Sequence, residues 1–549
     1  MRPLREQNHR CEIETLTALA ATGSGVTAAG EYCGCIGPWV AEQPSNMASF
    51  GLSRLYPKMI SKTDLDAHSP VPLYRQLYDH FRASIESGKL ENGSRLPATR
   101  ELAGQLGLNR TTVASAYELL ENEGFLTGQV GRGSFVRSSR APRQNELDWN
   151  TLVGSTQTRT PAYAGQNPAT ISFATSRPSE DLFPLEAFRL TCNEVLSGRH
   201  LPSVLQLGSP GGYEPLRRYL LDRAAERGLC GAGGELMVTS GCQQAFDLIA
   251  RALLRPGDKV AVEDPVYPGL KNLFLNAGVE LLGIPVGTEG MDTGKLASVL
   301  TRHNPKLIVV TPNFQNPTGA TMPLAARRAT LRLAREHGAV LVESDIYGEL
   351  MYSGEAIPSI RQLDETGGTV LLRSFSKVAF PGLRVGWILG PRPLISRCCE
   401  IKQITDLHTD QLSQAVLLRF GESGRLEEHR KAIVSAGAER LAATLAACGE
   451  FLPRNTQFTR PRGGMNVWVR LPEPLDAGEL LPRAQRENVT YLPGRYFTVS
   501  KHEPGGMRLS FAGLTPASIR EGIRTLGVVF SSELESTRSR GMEPASAIV

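Results

Sequence analysis

The chain has 549 residues, 41% hydrophobic and 21% charged, with a formal net charge of +5. This balance reads as soluble and globular, and the charge is too modest to establish nucleic-acid binding by itself. No apolar run reaches the length of a membrane span and the N-terminus lacks the apolar core of a signal peptide, so a cytoplasmic protein with no membrane contact is expected.

Nine cysteines and nine histidines are scattered along the chain; the close cysteine pairs are Cys33 with Cys35 and Cys398 with Cys399. Neither pair has zinc-site spacing, so reduced thiols and no metal centre are expected. Residues 1–68 carry no core pattern and are expected to be a disordered extension, with Met1, Met47 and Met59 all candidate translation starts.

Residues 69–137 carry the first regular patterning of the chain. Leu73, Leu77, Phe81 and Ile85 form one apolar helical stripe, and Gly88 ends it. A short helix follows from Leu96, turns at Gly107, and passes into a second helix capped by Asn109 that runs to Gly124. Val113, Ala116, Tyr117 and Leu120 face inward, which leaves Arg110, Thr111, Thr112 and Ser115 at the end that recognition helices present to DNA. Residues 125–136 alternate and turn on glycines like a two-stranded wing with Arg132 at its tip. The block resembles a GntR-type winged helix, and the resemblance places Arg100, Arg110, Thr111, Thr112 and Gly131 at DNA-contacting positions. Ala114 stands where some relatives carry an arginine.

Residues 138–170 are rich in Ser, Thr, Gln, Asn, Arg and Pro and read as a linker that could span up to roughly 100 Å when extended. Beyond it, apolar strands alternate with helices, which implies a mostly parallel sheet covered on both faces to about residue 395. A smaller α+β domain is expected over about 396–530, and a loose tail over 531–549.

Several strand ends in this region carry chemistry. The strand at 260–264 leads to Tyr267, an aromatic able to stack on a flat ring. The run Leu307–Val310 leads into the turn Asn313–Gly319, where ligands of open α/β sheets collect. The run from Leu341 ends in Asp345 and Tyr347, and a carboxylate there could pair with a protonated pyridine nitrogen. The stretch Ser374–Arg384 holds Ser374, Ser376, Lys377 and Arg384 at the spacing needed by a phosphorylated aldehyde. Lys377 can form a Schiff base, while the hydroxyls and guanidinium hold the phosphate. These elements together read as a site for pyridoxal 5'-phosphate.

From about Ile171 to Val528 the chain resembles the class I/II aminotransferases of fold type I, the PLP-dependent transferase fold, which need roughly 400 residues. The resemblance makes Lys377 the Schiff-base lysine and Lys377, Asp345 and Tyr347 the catalytic set. It puts Asn316 and Tyr347 on the ring oxygen, Ser374 and Arg384 on the phosphate, and Arg508, with Asn316, on a substrate or effector carboxylate. Gly241, Cys242 and Gln243 open a helix after the strand ending at Thr239, so their amides suit the phosphate as well. Leu207 stands where many relatives bring a phosphate-binding tyrosine from the partner subunit. The two-residue spacing from Asp345 to Tyr347 is similar to that of the aminoadipate-type aminotransferases and the regulators sharing their fold.

A winged helix followed by an aminotransferase-like domain resembles the MocR/GabR-type transcription regulators. The resemblance implies a homodimer that binds operator DNA and senses PLP, an amine or an amino acid. The alternative is a working aminoadipate-type aminotransferase with a fused winged helix, in which Lys377, once freed, shuttles the Cα proton.

Overall fold

The computed structural model describes residues 71–129, 133–137, 169–230, 234–500 and 503–541, together with residues 65, 66, 69 and 149. The expected N-terminal extension and linker lie almost entirely outside the described residues. The chain divides into two compact units, residues 1–155 and 156–549.

In the first unit, α1 (Leu73–Glu86) buries Leu77, Tyr78, Phe81 and Ile85. The helix α2 (Thr99–Leu106) stops at Gly107, whose left-handed φ of 65° lets the chain turn into α3 (Arg110–Asn122). Asn109 caps α3 by accepting a hydrogen bond from the Thr111 amide at 3.2 Å. The helix buries Val113, Ala116, Tyr117 and Leu120. The strands β1 (Leu126–Gln129) and β2 (Gly133–Val136) pair antiparallel as the wing. Tyr117 fastens α3 to the preceding loop by donating to the Pro97 carbonyl at 2.9 Å.

The second unit is built on an eight-stranded sheet. Its strands are β3 (Gly234–Thr239), β4 (Lys259–Asp264), β5 (Glu280–Gly287), β6 (Gly290–Met291), β7 (Leu307–Val310), β8 (Val340–Ser344), β9 (Val370–Ser374) and β10 (Gly386–Pro391). Their spatial order is β3-β10-β9-β8-β7-β4-β5-β6. The run β9-β8-β7-β4-β5 is parallel, while β10 runs antiparallel between β9 and β3. One face carries Val260, Val262, Val309, Val342 and Leu372 against α4 (Cys242–Leu253). The other carries Ala261, Ile308, Val310 and Leu341 against α5 (Leu324–Glu336). Successive side chains of a strand therefore enter different cores.

The smaller part joins a four-stranded antiparallel sheet, β11 (Gln457–Phe458), β12 (Asn466–Arg470), β13 (Leu492–Pro493) and β14 (Gly506–Ser510), to the long helices α6 (Arg425–Phe451) and α7 (Pro516–Gly541). Residues 531–541 are not the loose tail expected from their composition, because they continue α7. The apolar series Leu526, Phe530 and Leu534 keeps helical spacing against the small-domain core. Residues 542–549 lie outside the described residues, and no helix among the described residues is long and apolar enough to cross a membrane.

A buried arginine fixes the loop between β7 and α5. Arg327 is fully buried and donates to the carbonyls of Met322, Pro312, Ile357 and Pro358 and to Asn313 Oδ1. Replacing it by methionine fills the volume but leaves these acceptors without their donor. Arg327→Met should lower stability by about 3–5 kcal/mol, read as a lower denaturation midpoint of the full chain.

Candidate functional site

The carboxyl ends of the parallel strands open onto a cavity of about 330 Å³. Its walls include Tyr267, Asn316, Tyr347, Ser374, Ser376, Lys377, Arg384 and Arg508. These residues are far apart in sequence, and the sheet brings them together because each follows the end of a strand or lies in the small sheet packed beside it.

Lys377 lies in the tight turn after β9, with Nζ donating to the Ser176 carbonyl at 2.5 Å and lying 5.9 Å from the Tyr347 ring centre. Ser374 caps the same turn: its hydroxyl accepts from the Ser376 amide and donates to the Ser376 hydroxyl, each at 3.0 Å. Arg384, in a left-handed conformation with φ 55°, reaches Ser376 Oγ at 3.5 Å and the Ser240 carbonyl at 3.3 Å. The amino end of α4 meets this cluster at Gly241, where φ is 87° and a Cβ would lie 2.6 Å from Arg384 Nη2. Only glycine admits the guanidinium so close to the backbone. Two hydroxyls, a guanidinium and a helix amino end thus converge beside a lysine, a donor set that fits a phosphorylated aldehyde.

Cys242 and Gln243 also line the cavity. Burial pushes the Cys242 thiol up to about 12, which disfavours its thiolate. Gln243 donates to the Gly269 carbonyl at 2.9 Å and ties α4 to the segment that follows Tyr267. Tyr267 is 43% exposed at the cavity mouth.

At the other end, Asn316 donates to the Tyr347 hydroxyl at 3.2 Å and accepts from Arg508 Nη1 at 3.1 Å. Arg508 projects from β14, donates to the Ala174 carbonyl, and lies 5.1 Å from the Phe497 ring centre. A buried guanidinium held this way is preorganised for a carboxylate.

Asp345 departs from its expected role. It does not line the cavity: its carboxylate accepts from Asn313 Nδ2 at 2.8 Å and pairs with Arg373 Nη2 at 2.6 Å, among residues lining a separate pocket. Burial alone would raise the Asp345 carboxyl, but Arg373 and Asn313 bring it below the usual carboxylate range. The residue facing the cavity is Ser344. The reason is strand alternation, since Ser344 shares the face of Val342, while Glu343 turns to the opposite side and accepts from the Ile360 and Arg361 amides. Ser344 and Tyr347 are three residues apart, so the two-residue spacing from Asp345 does not describe the cavity wall.

Residues with no sequence signal also enter the wall. Glu263, at the end of β4, accepts from the Thr311 amide at 3.1 Å and from Gln315 Nε2 at 3.3 Å. Burial pushes its carboxyl up to about 8. Both sides of β8 are buried, so nothing in the local sequence marks Ser344, or the Ser176 carbonyl, as part of the wall. No cluster of three or more potential metal ligands occurs among the described residues.

In the winged unit, Arg100, Arg110 and Thr111 are exposed, and Thr112 and Ser115 are half-buried along the same end of α3. Gly131 and Arg132, expected at the wing tip, lie outside the described residues.

Residues 203–526 match the family "Aminotransferase class I and II", and residues 73–136 match "Bacterial regulatory proteins, gntR family". The chain is 31% identical to a probable rhizopine catabolism regulatory protein, MocR, of Rhizobium meliloti, over 88% of this chain and 98% of that protein. It is 38% identical to a 2-aminoadipate transaminase of Thermus thermophilus, over 66% of this chain and 90% of the enzyme. Among solved structures, the alpha-aminoadipate aminotransferase LysN of Thermus thermophilus, complexed with N-(5'-phosphopyridoxyl)-L-leucine, superposes with a TM-score of 0.66. It shares 33% identity, over 71% of this chain and all of that one. The family domain and the donor set identify pyridoxal 5'-phosphate as the cofactor of the cavity. The chain belongs to the class I/II aminotransferase family and, through its amino-terminal GntR domain, to the MocR-type regulators in which the two are fused.

Proposed function

We propose that this protein is a DNA-binding transcription regulator whose aminotransferase-like domain senses PLP, or an amine or amino acid that reacts with it. The observation that carries this reading is the presence, in one chain, of a GntR winged helix with an exposed basic helix end and a complete lysine, phosphate and carboxylate constellation. The cofactor supplies an electrophilic aldehyde carbon to an amine. Lys377 would hold that carbon, while Ser374, Ser376, Arg384 and the α4 amino end would hold the phosphate. Asn316 and Tyr347 would fix the ring oxygen, and Arg508 would select ligands that carry a carboxylate.

A homodimer is part of this reading. Leu185, Leu190, Leu196, Leu205 and Leu207 are exposed along one stretch of the second unit, with Leu207 73% exposed, as a surface covered by a second copy would be. Two winged helices would then engage two DNA half-sites. The ligand can change DNA occupancy only through different affinities for two arrangements of the protein.

The second reading, an aminoadipate-type aminotransferase carrying a winged helix, is favoured by the intact Lys377, Asn316 and Arg508 set. Absorbance of the loaded protein, titrated with a panel of amino acids with and without a keto-acid acceptor, separates the two. A spectral change without sustained keto-acid formation supports the sensor, and sustained exchange supports the enzyme.

Lys377→Ala should abolish the link between chain and cofactor that borohydride makes permanent; attachment at another lysine refutes the role of Lys377. Arg508→Lys should weaken the amino-acid response by about 1.5–3 kcal/mol, roughly tenfold or more, while simple amines respond as before. Arg110→Ala should reduce specific DNA binding by about 1–3 kcal/mol in footprinting at fixed salt and leave the cofactor spectrum unchanged. If selection from genomic fragments recovers no bound DNA, the regulator reading fails.

A further inference from the structure

The cavity carries a hydroxyl where an acid was expected. In a pyridine-4-aldehyde the ring nitrogen lies across the ring from the aldehyde carbon, so a ring whose aldehyde faces Lys377 turns its nitrogen away from the lysine. Apart from Ser374 in the phosphate cluster, the polar side chains at the strand ends of the wall are Glu263, Thr311 and Ser344. Glu263 is the one carboxylate among the described lining residues, and both its oxygens are occupied, by the Thr311 amide and by Gln315. Asp345 is held on the other side of β8 by two bonds from Arg373 and one from Asn313.

The difference between hydroxyl and carboxylate is chemical. An ionised carboxylate stabilises a protonated ring nitrogen, which can then accept the electron pair released when a substrate C–H bond breaks. A serine hydroxyl donates a hydrogen bond to the nitrogen and keeps its own proton. Burial pushes the Glu263 carboxyl up to about 8, which favours its uncharged form at neutral pH and weakens it as a counter-charge for that end of the cavity.

We propose that Ser344 is the partner this chain offers to the cofactor's ring nitrogen, leaving that nitrogen unprotonated and making the pocket a site for amine exchange with little capacity for C–H cleavage. The inference rests on the reading of the cavity as a PLP sensor and deepens it. In such an exchange the incoming amine nitrogen would form a double bond to the aldehyde carbon as the double bond from that carbon to Lys377 Nζ breaks, and both protons of the incoming neutral amine would pass to Nζ, which leaves as a free amine. No electrons leave the system, so a protonated nitrogen is not required. Ser344 acts by positioning and by what it lacks, a negative charge.

The test uses the full chain loaded with pyridoxal 5'-phosphate labelled with ¹⁵N in the ring. Near neutral pH the wild-type nitrogen should resonate at the unprotonated position, Ser344→Asp should move it upfield to the pyridinium position, and Asp345→Asn should leave it where it was. A pyridinium signal in the wild type overturns the proposal without recourse to any variant. Loss of a pyridinium signal in Asp345→Asn would return the role to Asp345. If Ser344→Asp folds and loads but the signal does not move, Ser344 is not the partner and the proposal also falls. A wild-type chain that takes up no cofactor overturns the PLP reading together with this one, an outcome distinct from a loaded chain with a protonated nitrogen.

Discussion

A carboxylate removed from water must find a cation or several donors, and Asp345 finds both in Arg373 and Asn313. This pairing decides much of the cavity. Arg373 belongs to β9, the Asp345 amide donates to the Leu372 carbonyl at 3.0 Å, and the next residues of β9 lead to Ser374 and Lys377. The ion pair therefore locks the ends of β8 and β9 in register, and with them the distance between Ser344 and the lysine turn. Were the Asp345 carboxylate to turn into the cavity, Arg373, itself 15% exposed at its side chain, would lose its closest counter-charge.

The remainder of the site is assembled from pieces that are rigid for separate reasons. Arg327 holds the loop carrying Asn313 and Asn316 through main-chain carbonyls. The phosphate end is held by the Ser374 cap, the left-handed Arg384 and the close passage of Gly241. Arg508 comes from the small sheet, opposite Trp468 in β12 and Leu492 in β13. A ligand that engages Lys377 and Arg508 at once bridges the large sheet and the small one, which gives binding energy a route into the relative position of those two parts.

Such a cavity serves a sensor well. In the reading proposed above, fixed donors at both ends select a ligand with an amine and a carboxylate, and the group at the strand ends sets how far chemistry proceeds after binding. An aminotransferase needs an electron sink and a proton shuttle in addition to a lysine; a sensor needs only reversible capture with different affinities in two arrangements. The lysine, the phosphate cluster and the arginine belong to both uses, which is why homology to enzymes and to regulators coexists in one chain.

The sequence by itself determined the elements whose signals are local. The helical spacing of Leu77, Phe81 and Ile85, the Asn109 cap, the turn at Gly107 and the inward face of α3 were all legible, because capping and periodicity act within a few residues. The set Ser374, Ser376, Lys377 and Arg384 was legible because its chemistry is compressed into eleven residues of one turn. Only the tertiary structure decided which of Ser344 and Asp345 faces the cavity. Both sides of β8 are buried, so no polar side of the strand reveals its orientation, and the choice rests on Arg373 of a neighbouring strand. It also decided that α7 continues to Gly541, since Leu534 gains a reason to be helical only from the core against which it packs.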